Sequence, residues 1–152
     1  MRKFLSVVDN TAECEVAVYY AARRAISTGG GLTLLHIISP ADFQHWVGVG
    51  EVMRDEAIET AENRLAELAE FVHEKTGLKA ETVIREGKRR EQILALLKED
   101  PDIRIIVLGA GIGKDGPGPL VTALTGQMAA QVPVPVTVVP GHLTREALDE
   151  LA

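Results

Sequence analysis

The chain holds a single cysteine, Cys14, among its 152 residues. An internal disulfide is therefore excluded, and such cysteine usage fits the reducing cytoplasm. Aromatic residues make up only 4% of the chain, so its core has to be built from aliphatic side chains. No run of ~18 apolar residues occurs, which leaves no candidate membrane span. Met1-Arg2-Lys3 runs straight into a short apolar segment, without the long apolar region and cleavage site of a signal peptide. Basic residues are in deficit, 16 against 22 acidic, for a net charge of −6. A nonspecific nucleic-acid binder carries the opposite balance. No HExxH, Ser-His-Asp or paired-carboxylate arrangement is present, so nothing points to hydrolytic chemistry. His45, His73 and His142 show no ligand spacing with one another or with Cys14, which argues against a zinc site.

What is present is ordinary for a globular chain: 46% hydrophobic and 25% charged residues. A chain of this length reads as one domain that buries about 70% of its unfolded surface. Residues 1–141 form that domain, and residues 142–152 a C-terminal tail. Lys3 to Val8 reads as a buried strand ending at Asp9. Asn10 and Thr11 are good N-caps for a helix to about Ser27, and Glu13 lies three residues after Asn10, as in a capping box. The triple glycine 29–31 stops that helix. Leu32 to Ile38 is an almost continuous apolar run, as in a strand covered on both faces.

A loop from Ser39 to Gly50 holds Phe43, His45 and Trp46, either anchored on the sheet by its rings or serving as a flap or partner contact. Glu51 to Thr76 is a long helix whose buried stripe is Ala57, Ala61, Leu65, Leu68 and Val72. Lys79 to Arg85 alternates like a strand near a sheet edge. Arg89 to Glu99 is a short helix with Ile93, Leu96 and Leu97 inward. A helix is expected from about Leu120 to Gln131, then a last strand from Val136 to Val139. Thr144 is placed to cap a short final helix, with Leu143 and Leu148 as a hydrophobic staple. This alternation predicts an α/β fold, a single doubly wound parallel sheet with helices on both faces.

The organising stretch is Ile103 to Val121. An apolar strand, Ile105 to Leu108, empties into a loop with Gly109, Gly111, Gly113, Gly116 and Gly118. A glycine-rich strand-to-helix turn is the usual phosphate cradle, because its N–H groups converge on an anion. In doubly wound sheets ligands sit beyond the C-terminal strand ends, where the winding reverses. Asp9 and Gly109 each end a strand, and they share one crevice if those strands are neighbours there.

The opening F-L-S-V-V-D-N-T, then L-T-L-L-H-I-I, I-I-V-L-G-A-G and the closing V-P-V-P-V-T-V-V-P occur in an order and spacing that resemble the universal stress protein family over essentially the whole chain. The resemblance implies five strands in the order 3-2-1-4-5 and a homodimer, often formed by antiparallel pairing of the last strands. It also implies, in one branch, ATP or another adenine nucleotide in the crevice, with Mg²⁺. The loop of that branch reads Gly-x-x-Gly, nine residues, then Gly with Ser or Thr. Here the first glycine falls on Gly109, the second on Ile112, and the final pair on Thr122-Ala123. Gly126 is followed by Gln127, which lacks the hydroxyl. Thr122 or Thr125 is then the available hydroxyl, and Gly116 and Gly118 the available N–H groups. Pro117 and Pro119 each remove a donor. The phosphate motif is degenerate.

The expected ligand residues are Asp9, His36, Gly109, Gly111, Gly113, Gly116, Gly118 and Thr122. Asp9 is expected to hydrogen-bond adenine or ribose, against the simpler reading of a helix cap. His36 closes a strand, and a satisfied buried histidine is the simpler account of it. Lys88-Arg89-Arg90 is the one basic cluster. It sits at a helix start, where cations oppose the helix dipole, and reads as a solvated run or as an attractor of phosphate to the crevice rim. Lys114 and Asp115 read as a flexible loop or as phosphate and metal contacts. Cys14, in the first turn of a helix, reads as a small packed residue rather than a reactive thiol. The alternation of Val134, Val136 and Val138 on an apolar edge strand is expected to form the dimer contact.

The expected function is a non-catalytic, cytoplasmic, dimeric stress-response regulator with a crevice for a small ligand such as an adenine nucleotide. The alternatives are an interaction module of the same fold that binds no nucleotide and, behind it, a slow ATPase.

Overall fold

A computed structural model describes residues 1–39 and 50–152, with the side chains of residues 50–53 excepted. The aromatic loop residues Phe43, His45 and Trp46 lie outside the described residues. The elements are β1 (Lys3–Val7), α1 (Ala12–Thr28), β2 (Gly31–Ile38), α2 (Gly50–Thr76), β3 (Glu81–Glu86), α3 (Arg89–Glu99), β4 (Ile103–Ala110), α4 (Pro119–Thr125), β5 (Val136–Pro140) and α5 (Arg145–Leu151).

The strands form one sheet in the order β3-β2-β1-β4-β5, every neighbouring pair parallel. The chain winds outward from β1 to β3, then returns to place β4 on the other side of β1. The winding therefore reverses between β1 and β4. Two apolar clusters flank the sheet. One joins Phe4, Leu34 and Val107 to α1, α2 and Leu148 of α5. The other joins Leu5, Leu35, Ile106 and Leu108 to α3 and α4. Adjacent positions of a central strand feed opposite clusters, because successive side chains point to opposite faces. That two-sided demand is why β1, β2 and β4 carry apolar residues in sequence rather than in alternation.

Helix α1 lies against the sheet on a stripe of small residues, Ala17, Ala21, Ala22 and Ala25, all at most 1% exposed. It ends at Gly29, which adopts the left-handed conformation with φ 69. Helix α2 buries Ala61, Leu65, Leu68 and Val72, with Ala57 half-buried, as the helical spacing predicts. In α3, Ile93, Leu96 and Leu97 point inward. At the far end, Thr144 caps α5 by accepting from the N–H of Ala147 at 3.2 Å. Leu143 packs against the cluster that buries Leu148, the surroundings expected of the staple.

Two local expectations are corrected. Helix α4 ends at Thr125, short of Gln131. Gly126 leaves helical geometry with φ −109 and ψ −103. The N–H of Met128 then bonds the carbonyl of Ala123 at 2.9 Å, and the Met128 side chain is buried. Burying Met128 outweighs the helical pattern of the segment. The capping box is also absent. Thr11 is the N-cap of α1 but makes no side-chain cap bond. Its hydroxyl donates instead to Oδ1 of Asp9, at 2.5 Å, and its N–H bonds the same oxygen at 2.9 Å. The Thr11 side chain is oriented toward this carboxylate and accepts nothing from the helix N–H groups.

Strand β5 is an edge. The N–H of Ile106 bonds the carbonyl of Pro135 at 2.9 Å. Strand alternation from that bond points the backbone of Thr137 and Val139 toward β4, and the backbone N–H and C=O of Val136 and Val138 toward the open edge. The side chains of Val134, Val136 and Val138 are half-buried against the α3–α4 cluster of their own chain.

Candidate functional site

A crevice of about 290 Å³ opens at the C-terminal ends of β1 and β4. Its first wall is the β1–α1 turn, with Asp9, Asn10 and Thr11, followed by Glu13 and Cys14 of the first turn of α1. Leu108 and Gly109 of β4 adjoin it, and residues 117–121 form the facing side. Among the described residues Val7 and Val8 of β1 and the turn after it, His36 and Ile37 of β2 and Arg89 of α3 also line it.

Of the residues singled out in the sequence, Asp9, His36, Gly109 and Gly118 line this crevice. Gly111, Gly113, Gly116 and Thr122 are not among its lining residues. The reason lies in the loop. The N–H of Gly111 bonds the carbonyl of Pro117 at 3.0 Å, and that of Gly116 bonds the carbonyl of Gly113 at 3.2 Å. The loop closes on itself, and its tip, with Ile112 69% exposed, points to solvent. Thr122 Oγ1 donates to the carbonyl of Gly118 at 3.0 Å, and Thr125 Oγ1 to that of Val121 at 2.6 Å. Both hydroxyls serve the backbone of α4. Lys114 and Asp115 are exposed at the loop tip.

Asp9 has two jobs available to it. Oδ1 holds the turn through Thr11. Among the described residues no hydrogen bond engages Oδ2, and Asp9 is exposed to the crevice. The thiol of Cys14 is 4% exposed. Burial pushes it up to about 11, against the opposing influence of the Asp9 N–H that donates to Sγ at 3.5 Å. It is a packed residue and a poor nucleophile at neutral pH.

Arg64 of α2 is the residue that sequence reading misses. Its Nε donates to the carbonyl of Asp9 at 3.0 Å and its Nη2 to that of Thr11 at 3.3 Å. One guanidinium thereby ties both ends of the β1–α1 turn, two N–H groups of one rigid planar fork each meeting a carbonyl. Within E-N-R-L-A-E-L-A-E it looks like one more solvent-face charge, and no local signal marks it. The basic cluster divides. Arg89 lines the crevice, Arg90 donates to the side chain of Gln131, and Lys88 is the N-cap of α3. Among the described residues no group of three or more His, Cys, Asp or Glu is arranged to hold a metal ion. No described helix is long and apolar enough to cross a membrane.

The sequence matches the universal stress protein family over residues 1–140. No curated protein matches it. Among solved structures, the universal stress protein UspA from Lactobacillus plantarum is similar at 23% identity and a TM-score of 0.74, covering 91% of this chain and 97% of the other. The universal stress protein from Archaeoglobus fulgidus in complex with dAMP is similar at 19% identity and a TM-score of 0.65, over 91% and 97%. A universal stress protein in complex with cAMP is similar at 14% identity and a TM-score of 0.59, over 92% and 97%. The family match spans every strand of the sheet, and the same fold recurs in these structures; the chain belongs to the universal stress protein family.

Proposed function

We propose that the protein is a non-catalytic regulator of the cytoplasm, dimeric through β5, that takes an adenine nucleotide into the crevice between β1 and β4. The observation that carries the reading is the crevice itself. Its volume of about 290 Å³ falls just under the ~300–1,000 Å³ of small-molecule sites. It lies where doubly wound sheets bind ligands, and Asp9 brings to it a carboxylate oxygen able to accept from an adenine amine or a ribose hydroxyl. Two structures of the same fold hold dAMP and cAMP. Binding there would couple the β1–α1 turn to the loop after β4, and it biases a partner only if the loop states differ in ligand affinity. The outward backbone groups of Val136 and Val138 favour pairing with a second β5.

A second reading, an interaction module without nucleotide, is favoured by the self-closed glycine loop. A thermal-shift panel with AMP, ADP, ATP and cAMP, each with and without Mg²⁺, separates them. A nucleotide at 100 times its dissociation constant stabilises by about 2.7 kcal/mol, and Asp9→Ala should reduce that shift. No shift with any nucleotide sinks the ligand reading and leaves the interaction module. Steady phosphate release that disappears in Asp9→Ala would make the protein an ATPase instead.

A further inference from the structure

We infer that the crevice selects a nucleoside monophosphate over a triphosphate, and that Arg89 rather than the glycine loop holds its phosphate. The inference rests on the nucleotide reading above and names the ligand class within it.

Four observations lead there. First, the glycine loop has few donors to offer. The N–H groups of Gly111 and Gly116 are bonded inside the loop, and Pro117 and Pro119 have none. Second, Gly111, Gly113 and Gly116 lie off the crevice lining, so the segment that would wrap a polyphosphate chain is turned away. Third, among the described residues the lining includes two carboxylates, Asp9 and Glu13, and one arginine, Arg89. Each added phosphate brings more negative charge toward those carboxylates, so a triphosphate meets more repulsion than a monophosphate. Fourth, Arg89 stands in the first turn of α3, where a cation opposes the helix dipole. Its placement does not serve the helix, but it does bring an arginine to the crevice lining. Five N–H donors in a planar fork let an arginine hold a phosphate beside another partner. The crevice is then polarised, with Asp9 to accept from the nucleoside and Arg89 to donate to the phosphate.

The test is calorimetric titration of AMP, ATP and adenosine into the wild-type protein, Arg89→Ala and Arg90→Ala, with thermal melts as folding controls. AMP should bind the wild type about tenfold more tightly than ATP. Arg89→Ala should weaken AMP about tenfold, the loss of one charge-assisted contact, and leave adenosine within about twofold. Arg90→Ala, whose side chain is tied to Gln131, should leave AMP unchanged. ATP binding as tightly as AMP, or AMP affinity indifferent to Arg89→Ala, overturns this inference while adenosine binding keeps the crevice reading alive. A wild type that binds neither adenosine nor AMP overturns both.

Discussion

A Cβ built on Gly109 would lie 2.1 Å from the carbonyl oxygen of Glu13. The backbone of α1 rests directly on the end of β4, and only a residue without a side chain fits beneath it. The first glycine of the loop thus has a packing reason that holds whether or not a ligand passes it. Gly109→Ala should cost at least ~2 kcal/mol, since rigid backbone on both sides has to move. A chemical-denaturation midpoint unchanged from wild type would show that α1 does not press on this position.

Arg64→Lys keeps the charge of Arg64 and loses its fork. A lysine cannot reach the carbonyls of Asp9 and Thr11 in the same way, so the β1–α1 turn should loosen at a cost of about 1–2 kcal/mol. Amide exchange should rise at Thr11, whose N–H bonds Asp9, ahead of exchange in β1. Uniform loss of protection across the sheet would mean that Arg64 acts on global stability instead.

Cys14 predicts an alkaline limb of stability. Its folded value, about 11, lies above the ordinary 9.0. The fold therefore favours the protonated thiol, and the stabilisation is complete below 9.0 and lost as pH rises through about 11. A shift of this size corresponds to about 2–3 kcal/mol. Lys3 contributes in the same direction, because Asp100 and Glu81, each 2.9 Å from its ammonium, raise it above its ordinary range. Denaturation of wild type and Cys14→Ala at about pH 8 and about pH 10.5 separates the two groups. The variant should lose less stability between these points. Equal losses would remove Cys14 as a cause.

The C-terminal helix is docked by several contacts. Tyr19 Oη donates to Asp149 at 2.5 Å, the Arg145 guanidinium stacks 4.9 Å from the Phe71 ring, and Leu148 is 1% exposed. Leu148→Ala should cost about 2–4 kcal/mol. The hydrogen bond to Asp149 raises the Tyr19 phenol, so Asp149→Asn should bring its ultraviolet titration down toward the ordinary tyrosine value. A titration unmoved by that change would show that α5 does not hold Tyr19 in solution.

The dimer proposal is tested at the edge of β5. Val138→Pro removes an outward N–H and leaves the bonds to β4 in place. Sedimentation should show a dimer for wild type at micromolar concentration and a shift toward monomer for the variant. A monomeric wild type ends the proposal.

The alternation of apolar runs with helical stripes made the sheet and most of its helices legible in advance. Such patterns are local: they repeat every two residues or about every 3.6, and burial on one face or two enforces them. Leu32–Ile38 and the Leu65–Leu68–Val72 stripe show this directly. Where local signals competed, as at Gly126 and Met128 or at Asp9 and Thr11, the pattern misled, because one buried side chain or one carboxylate outweighed it.

By itself, the sequence determined the doubly wound order of the elements, the aliphatic core and the crevice's address at Asp9 and Gly109. Only the tertiary structure decided what those residues do: that Glu13 bears on Gly109, that the glycine loop closes on itself, that Arg64 pins the wall and that Arg89 enters the lining. Each of these depends on groups brought together from distant parts of the chain or on a loop's choice of its own hydrogen bonds. No repeat in the sequence records such meetings; packing and hydrogen-bond competition settle them once the sheet has formed.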